Sequence, residues 1–178
     1  LDGERMRTIH RGVDITVFHP HYEGDGVRKE LGIKEDDIFV LFVGRLIKMK
    51  GVEYLIRAVK DLIPLYSNLK LVIVGDGDAR EEDEKIASSI KNNVIFTGER
   101  RCTYRFMCAA DIVVLPSLCE GCPNVVLEAM ACGTPVIASR VGAVPDIIEN
   151  DETGIVVEPK DVEGLKKALV RLMENREL

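Results

Sequence analysis

Residues 38–45 read Ile-Phe-Val-Leu-Phe-Val-Gly-Arg, an unbroken apolar run that ends at a glycine and an arginine. A short apolar run rich in β-branched residues is typical of a strand that is buried on both faces of a parallel sheet. Comparable runs occur five more times along the chain, at residues 69–74, 94–97, 112–115, 135–138 and 154–157. The sequence therefore predicts six strands, the first of them at residues 38–43.

Amphipathic segments separate the predicted strands. Apolar residues recur at helical spacing from Val52 to Tyr66 and again from Val162 to Met173, and these two patterns predict helices. Shorter helices are predicted at residues 80–90, 105–110 and 124–132, and after Pro145. This alternation predicts an α/β fold, namely a Rossmann-like three-layer domain with a six-stranded parallel sheet in the order 3-2-1-4-5-6. In that order a ligand crevice is expected at the carboxyl ends of the first and fourth strands.

Length and composition indicate one ordinary globular domain. The chain has 178 residues, of which 46% are hydrophobic and 30% are charged. We divide it into a less regular lead-in at residues 1–35 and a Rossmann-like domain at residues 36–178. The net charge of -6 disfavours a broad nucleic-acid surface, and no apolar run is long enough for a transmembrane segment.

The five cysteines are bunched between Cys102 and Cys132. Their odd number and low density are not those of a disulfide scaffold, so we expect the reducing environment of the cytoplasm. Cys119 and Cys122 have the spacing of a zinc or redox pair, but a structural zinc site needs four ligands and no second pair has suitable spacing. We expect these thiols to act as small apolar groups, with Cys119 close enough to the crevice to react.

The first group of candidate site residues follows the first predicted strand. Gly44 allows a sharp turn there, Arg45 offers a planar set of donors, and Lys50 precedes a predicted helix near Gly51. A helix N-terminus and two cations beside one crevice suit a diphosphate. The alternative interpretation is that Arg45 and Lys50 are solvated loop charges.

The second group follows the fourth predicted strand, at residues 120–128. Pro123 suits the first turn of a helix, which would direct the backbone N–H groups of nearby residues into the crevice. Those residues are Gly121, Cys122, Asn124 and Val125. The carboxylates of Glu120 and Glu128 are suitable acceptors for sugar hydroxyls. Alternatively, Glu120 only caps the helix and Glu128 is a surface residue.

Taken in order, these motifs resemble the C-terminal, donor-binding domain of retaining glycosyltransferases with the two-domain GT-B fold, in the family-4 (group 1) class. The resemblance covers nearly the whole chain. Its motifs are Arg11-Gly12-Val13-Asp14, Phe42-Val43-Gly44-Arg45-Leu46 with Lys50-Gly51, Val74-Gly75-Asp76-Gly77, Phe96-Thr97-Gly98, the Glu120-x7-Glu128 element and Ala131-Cys132-Gly133-Thr134-Pro135. Cys122 departs from the pattern, because the family usually has a larger apolar residue there. On this resemblance, residues 36–178 form the nucleotide-sugar-binding half of a GT-B fold.

The resemblance also implies a role for each candidate residue. Arg45 and Lys50 would bind the donor diphosphate and stabilise charge on the leaving group, and Gly44 belongs to the same loop. Glu120 would contact hydroxyls of the transferred sugar, and Glu128 would bind the ribose. Backbone groups of Phe96, Thr97 and Gly98 would meet the base. Backbone N–H groups of Gly121, Cys122, Asn124 and Val125 would lie near the phosphates or the sugar.

The activity implied is transfer of a hexose from a UDP-, GDP- or ADP-sugar to an acceptor, with retention of anomeric configuration and without a metal or other cofactor. The family's N-terminal domain, which carries most acceptor contacts, has no counterpart here. We therefore expect that domain to be a partner within the same protein and to be required for activity. Any peripheral contact with a membrane would be made by that domain. Two alternatives stay open, a nucleotide-binding regulatory module without catalysis and a GT-B-fold enzyme of other chemistry, such as a sugar-nucleotide epimerase or a phosphorylase.

Overall fold

A computed structural model of the chain describes residues 11–20 and 25–175. Within these residues it contains one six-stranded sheet in the order β3-β2-β1-β4-β5-β6, and every neighbouring pair of strands is parallel. The strands are β1 at Ile38–Val43, β2 at Leu69–Val74, β3 at Val94–Gly98, β4 at Ile112–Leu115, β5 at Val136–Ser139 and β6 at Ile155–Val157. The predicted fold class and strand order are confirmed.

Helices connect the strands and cover both faces of the sheet. They are α1 at Asp25–Leu31, α2 at Val52–Leu62, α3 at Arg80–Ala87, α4 at Thr103–Ala109, α5 at Asn124–Ala131, α6 at Val144–Ile147 and α7 at Val162–Glu174. A 3₁₀ turn at Ser88–Ile90 completes the segment that was predicted to be a single helix at residues 80–90. Helix α4 begins two residues before the predicted start at residue 105.

The core has two halves, one on each face of the sheet. Val40 and Phe42 of β1 point to the half that contains α2 and α7, whereas Phe39 and Leu41 point to the half that contains α4 and α5. All four side chains are fully buried. This arrangement explains the unbroken apolar runs, because a strand covered on both sides has no face left for polar residues.

Helix α1 lies within residues 1–35, which were predicted to be a less regular lead-in. Its Arg28 Nη2 lies 2.7 Å from Asp111 Oδ2, and the backbone N–H of Phe39 donates to the same oxygen at 2.7 Å. The Arg28 guanidinium also lies over the Phe39 ring, 5.6 Å from its centroid. These contacts attach α1 to the start of β1 and to the segment that leads into β4, so this part of the lead-in packs on the core. Residues 1–10 and 21–24 lie outside the described residues, and the domain boundary at residue 36 stays a prediction.

Candidate functional site

The loop after β1 passes directly against the end of β4. It continues through a 3₁₀ turn at Lys48–Lys50 to Gly51, which has a left-handed backbone with φ of 62°. A Cβ atom on Gly51 would lie 2.2 Å from the carbonyl oxygen of Pro116, so only glycine allows this approach. The backbone N–H of Leu118 also donates to the carbonyl of Met49 at 2.8 Å. The loop is therefore fixed where strands β1 and β4 meet.

Lys50 and Glu120 meet across this junction. Lys50 Nζ lies 2.6 Å from Glu120 Oε1, and Ser117 Oγ donates to the same oxygen at 2.6 Å. Only 22% of the Lys50 side chain and 11% of the Glu120 side chain are exposed. Such burial makes a carboxylate costly unless it is paired and hydrogen-bonded, and both conditions are met here. The structure thus brings together one residue from each predicted group.

Arg45 lines a cavity of about 460 Å³ at the carboxyl ends of β1 and β2. Gly44, Gly75 and Asp76 form part of the same wall, and Glu99, Arg100 and Arg101 lie on the β3 side. The Arg45 side chain is exposed, and it has no hydrogen-bond or ion-pair partner within the described part of the chain. Its guanidinium is therefore available to an anionic ligand in the crevice.

The segment from Gly121 to Val125 forms the turn into α5. Helix α5 begins at Asn124, so Pro123 lies just before the helix instead of in its first turn. The Gly121 carbonyl accepts from the Ala143 backbone N–H at 2.8 Å, which fixes the turn against the loop after β5. Gly121 and Asn124 are exposed, and Cys122 and Val125 are half-buried. The turn is held in place while its exposed residues remain open to a ligand.

Glu128 lies in the second turn of α5 and is half-buried. Burial raises the pKa of its carboxyl group above the ordinary value. A carboxylate that has lost part of its hydration gains more than an exposed one from new hydrogen-bond donors, such as a pair of sugar hydroxyls. This position is therefore chemically suited to the predicted ribose contact, which stays a prediction.

Phe96, Thr97 and Gly98 form the end of β3, where the sequence predicted contacts with the base. The Thr97 hydroxyl lies 3.0 Å from the Gly98 carbonyl oxygen and 3.4 Å from that of Ile73, so it is engaged within the sheet. The Arg80 guanidinium lies 6.0 Å from the centroid of the Phe96 ring. The nearby cavity is lined instead by the residues that follow, Glu99 to Arg101.

Sequence reasoning missed two features of the site. Ser117 supplies a second hydrogen bond to Glu120, and its position directly after the fourth apolar run could have indicated a role. Arg100 and Arg101 add positive charge to the cavity, although Arg100 Nη1 also lies 3.4 Å from Glu30 Oε1. An arginine pair in a loop gives no pattern by itself, so only the fold shows that it borders the crevice.

Two other kinds of site are absent from the described residues. Neither residues 11–20 nor residues 25–175 contain a group of three or more His, Cys, Asp or Glu side chains placed to hold a metal ion. Across the same two ranges, the helices lack the combination of length and apolarity that would let one cross a membrane.

Comparison with known proteins identifies the family. The family model for glycosyl transferases group 1 matches residues 25–178. The chain therefore belongs to the group 1 glycosyltransferases, and the resemblance in its sequence is confirmed. The matched region includes α1, in agreement with the contacts that attach this helix to the sheet.

Similar proteins of known sequence span a range of transferases. An uncharacterised glycosyltransferase of Methanocaldococcus jannaschii is 35% identical over 97% of this chain and 46% of its own length. The UDP-Gal:alpha-D-GlcNAc-diphosphoundecaprenol alpha-1,3-galactosyltransferase of Escherichia coli is 32% identical over 100% of this chain and 48% of its own length. The chain thus spans about half the length of the curated relatives it matches.

Solved structures support the same assignment. The Anabaena protein HepE in complex with UDP and glucose superposes with a TM-score of 0.88 at 26% identity, over 98% of this chain and 49% of that one. The C-terminal domain of the group 1 glycosyl transferase LpcC of Francisella tularensis gives a TM-score of 0.81 at 30% identity, over 93% of this chain and 90% of that domain. The chain thus has one half of a GT-B fold.

Proposed function

We propose that this chain is the donor-binding domain of a hexosyltransferase that moves a sugar from a nucleotide diphosphate to an acceptor, retains the anomeric configuration and needs no metal ion. The N-terminal acceptor domain of the same protein would complete the cleft, so the domain alone would not catalyse transfer. The proposal rests on one observation above all, the Lys50–Glu120 pair at the junction of β1 and β4.

The chemistry of this pair fits a glycosyl–phosphate bond. The two groups provide a cation and a sugar-hydroxyl acceptor side by side, and Arg45 lies in the same loop as Lys50. A donor diphosphate beside Lys50 and Arg45 would place its sugar next to Glu120. Similar structures support this class of ligand, because the HepE structures contain UDP, UDP-glucose or UDP with glucose.

The same residues would assist the reaction. As the bond to the sugar breaks, negative charge grows on the diphosphate, and fixed cations stabilise that charge more in the transition state than in the ground state. This is the task that a metal ion performs in other enzymes. We assign it here to Arg45 and Lys50, with Glu120 holding the sugar and Glu128 the ribose.

Thermal unfolding with nucleotides tests the proposal. The chain is melted with UDP, GDP and ADP and with their glucose conjugates, each in EDTA and in magnesium. A ligand at a hundred times its Kd adds roughly 2.7 kcal/mol to the free energy of unfolding, which is readily detected as a higher Tm. We expect one nucleotide to stabilise the chain equally in EDTA and magnesium, and Arg45→Ala to remove the effect.

Other outcomes separate the alternatives. Stabilisation that requires magnesium would overturn metal independence. If no nucleotide stabilises either this chain or the two-domain protein, donor binding is wrong. If the two-domain protein binds a nucleotide sugar and converts it to an epimer without transfer, the protein is an epimerase. Binding with no turnover of any donor would indicate a regulatory module.

A further inference from the structure

Ser117 places a buried hydroxyl group directly after the apolar strand β4. Its side chain has no exposed surface, and β4 and Pro116 before it are buried as well. A buried hydroxyl costs free energy unless it makes a hydrogen bond. Among residues 11–20 and 25–175, Ser117 donates to Glu120 Oε1, at 2.6 Å. The hydroxyl is therefore committed to one residue of the candidate site.

The backbone around Glu120 is held by contacts that do not use this hydroxyl. On one side, the N–H of Leu118 donates to the carbonyl of Met49 at 2.8 Å. On the other side, Gly142 passes so close that an added Cβ would lie 2.3 Å from the Glu120 carbonyl oxygen. Loss of the Ser117 hydroxyl would therefore release the Glu120 carboxylate while the loop stays in place.

The two carboxylate oxygens of Glu120 have different surroundings. Oε1 accepts from Lys50 Nζ and from the Ser117 hydroxyl, each at 2.6 Å. Oε2 has no hydrogen-bond partner within the described ranges 11–20 and 25–175. In those same ranges, Asp83 Oδ2 is the buried side-chain oxygen that lacks a partner, so Glu120 Oε2 is open to solvent. Oε2 is thus available to accept a hydrogen bond from a ligand hydroxyl.

We propose that Ser117 is a positioning residue, which holds Oε1 of Glu120 in place while Oε2 accepts from hydroxyls of the donor sugar. This role rests on the proposed function, in which Glu120 contacts the sugar and Lys50 contacts the diphosphate. Ser117 itself would touch no substrate and would act only through Glu120.

A second anchor on Oε1 matters because Lys50 has two negative partners in the proposed donor complex. The diphosphate and the Glu120 carboxylate both attract its ammonium group. This group is a compact charge on a flexible stem, so a bound phosphate draws Nζ from the carboxylate and weakens their hydrogen bond. Ser117 is short and fully buried, and its hydroxyl keeps Oε1 in place while Lys50 turns to the phosphate.

Loss of the Ser117 hydroxyl should therefore affect the sugar and spare the nucleotide. In the Ser117→Ala protein, Lys50 alone would hold the carboxylate, and the sugar hydroxyls would meet Oε2 in poorer geometry. The bare nucleotide lacks the sugar that Oε2 would hold, so its affinity should persist. A serine with a merely structural role would weaken both ligands alike.

Isothermal titration calorimetry on the two-domain protein tests this role. The ligands are whichever of UDP, GDP and ADP stabilises the wild type, and the glucose, galactose and mannose conjugates of that nucleotide. We expect Ser117→Ala to raise the Kd of the tightest conjugate at least about fivefold, as part of the contribution of a hydrogen bond to a charged group, and to change the Kd of the bare nucleotide less than about twofold. Ser139→Ala, at a buried serine of β5, is the matched control and should change neither Kd.

A double-mutant cycle shows whether Ser117 acts through Glu120. Glu120→Gln already removes the carboxylate that Ser117 holds, so in that background Ser117→Ala should change the Kd of the conjugate by less than about twofold. Equal effects of Ser117→Ala in both backgrounds would overturn the proposal, because the serine would then act independently of Glu120.

Further outcomes distinguish this role from the proposed function. Unchanged conjugate binding in a folded Ser117→Ala protein, or equal losses for conjugate and nucleotide, would overturn the role of Ser117 and leave the proposed function standing. A wild-type protein that binds no nucleotide, or no conjugate more tightly than the nucleotide, would contradict the proposed function and the role of Ser117 with it.

A crystal structure of the wild-type protein with the tightest conjugate decides the matter if Ser117→Ala does not fold. We expect a sugar hydroxyl within hydrogen-bond distance of Glu120 Oε2, with the Ser117 hydroxyl still on Oε1. A sugar bound at Oε1, or a Ser117 hydroxyl turned away from Glu120, would overturn the proposal.

Discussion

Lys50 Nζ lies 2.6 Å from Glu120 Oε1, and both side chains are largely buried. Lys50 belongs to the loop after β1 and Glu120 to the loop after β4, so the pair spans the point where the strand order reverses. Crevices at such points are the usual ligand sites of open α/β sheets. The pair is thus a contact that joins the two loops, and it places a cation and a carboxylate at this crevice.

Replacement of Lys50 by alanine should weaken nucleotide binding. The change removes a cation from the proposed diphosphate site. It also leaves the Glu120 carboxylate without its ion-pair partner, and this unpaired negative charge repels the diphosphate. We expect the Kd for the nucleotide that stabilises the wild-type chain to rise at least about tenfold, equivalent to about 1.4 kcal/mol, in isothermal titration calorimetry. Lys48→Ala is the matched control, because Lys48 is two residues away and its side chain is 81% exposed. Equal losses from the two variants would contradict a specific role for Lys50.

Replacement of Glu120 by glutamine should separate transfer from nucleotide binding. The change keeps the size of the side chain but removes the charge proposed to hold the sugar. In the two-domain protein we expect kcat to fall by about 100-fold or more, as when a group that acts in the transition state is removed. The Kd for the nucleotide that stabilises the wild-type chain should change by less than about threefold. Glu163→Gln, on the exposed side of α7, serves as the control. A large loss of nucleotide binding in a folded Glu120→Gln protein would count against this role.

Replacement of Gly142 by alanine should disturb the turn that carries Glu120 and Gly121. Gly142 has a φ of 53°, and an added Cβ would lie 2.3 Å from the Glu120 carbonyl oxygen and 2.4 Å from that of Gly121. A left-handed backbone at a non-glycine residue costs about 1–3 kcal/mol, and the clash adds to this cost. We expect a lower Tm and weaker nucleotide binding. Gly12→Ala, where an added Cβ meets nothing within 4 Å, should change neither. A Gly142→Ala protein with unchanged binding would show that the turn tolerates displacement.

The sequence predicted the fold well because buried parallel strands leave a clear pattern. Each of the six apolar runs became a strand, and the predicted helices differ from the observed ones mainly at their ends, but one helix, α1, was not predicted. Helix α1 was missed because its attachment depends on Arg28, whose partners Phe39 and Asp111 are distant in the sequence. A seven-residue helix shows little periodicity, so contacts of this kind are visible only in three dimensions.

The site was predicted in part for a similar reason. Lys50 and Glu120 could be assigned to one crevice, because topology alone places the ends of β1 and β4 together. Their direct contact depends on the 3₁₀ turn and on the close approach at Gly51, and the hydroxyl of Ser117 donates a further hydrogen bond to Glu120. Neither feature has a periodic signal.

Asp83 gives a prediction about pH, because its carboxyl group is buried where two other acids face it. The side chain is 3% exposed, and its Oδ2 has no hydrogen-bond partner among residues 11–20 and 25–175. It borders a cavity of about 10 Å³ beside Glu53 of α2, Glu82 of α3 and Lys48, and Lys48 Nζ lies 3.5 Å from Glu82 Oε2. Burial, followed by repulsion from Glu53 and Glu82, raises the pKa of Asp83 to about 6.

The raised pKa means that folding favours the protonated carboxyl group. Its stabilising contribution is fully present below the unfolded pKa of about 3.9 and is lost as the pH rises through about 6. A difference of about two pKa units corresponds to about 3 kcal/mol, so Asp83→Asn should raise the free energy of unfolding by about 2 kcal/mol or more at pH 7.5. The difference in free energy of unfolding between Asp83→Asn and the wild type should shrink by more than half at pH 4.5, where the Asp83 carboxyl of the folded wild type is protonated. Urea unfolding at both pH values measures the difference, with Glu81→Gln on the exposed side of α3 as the control. If Asp83→Asn stabilises the protein equally at both pH values, Asp83 does not titrate in this range.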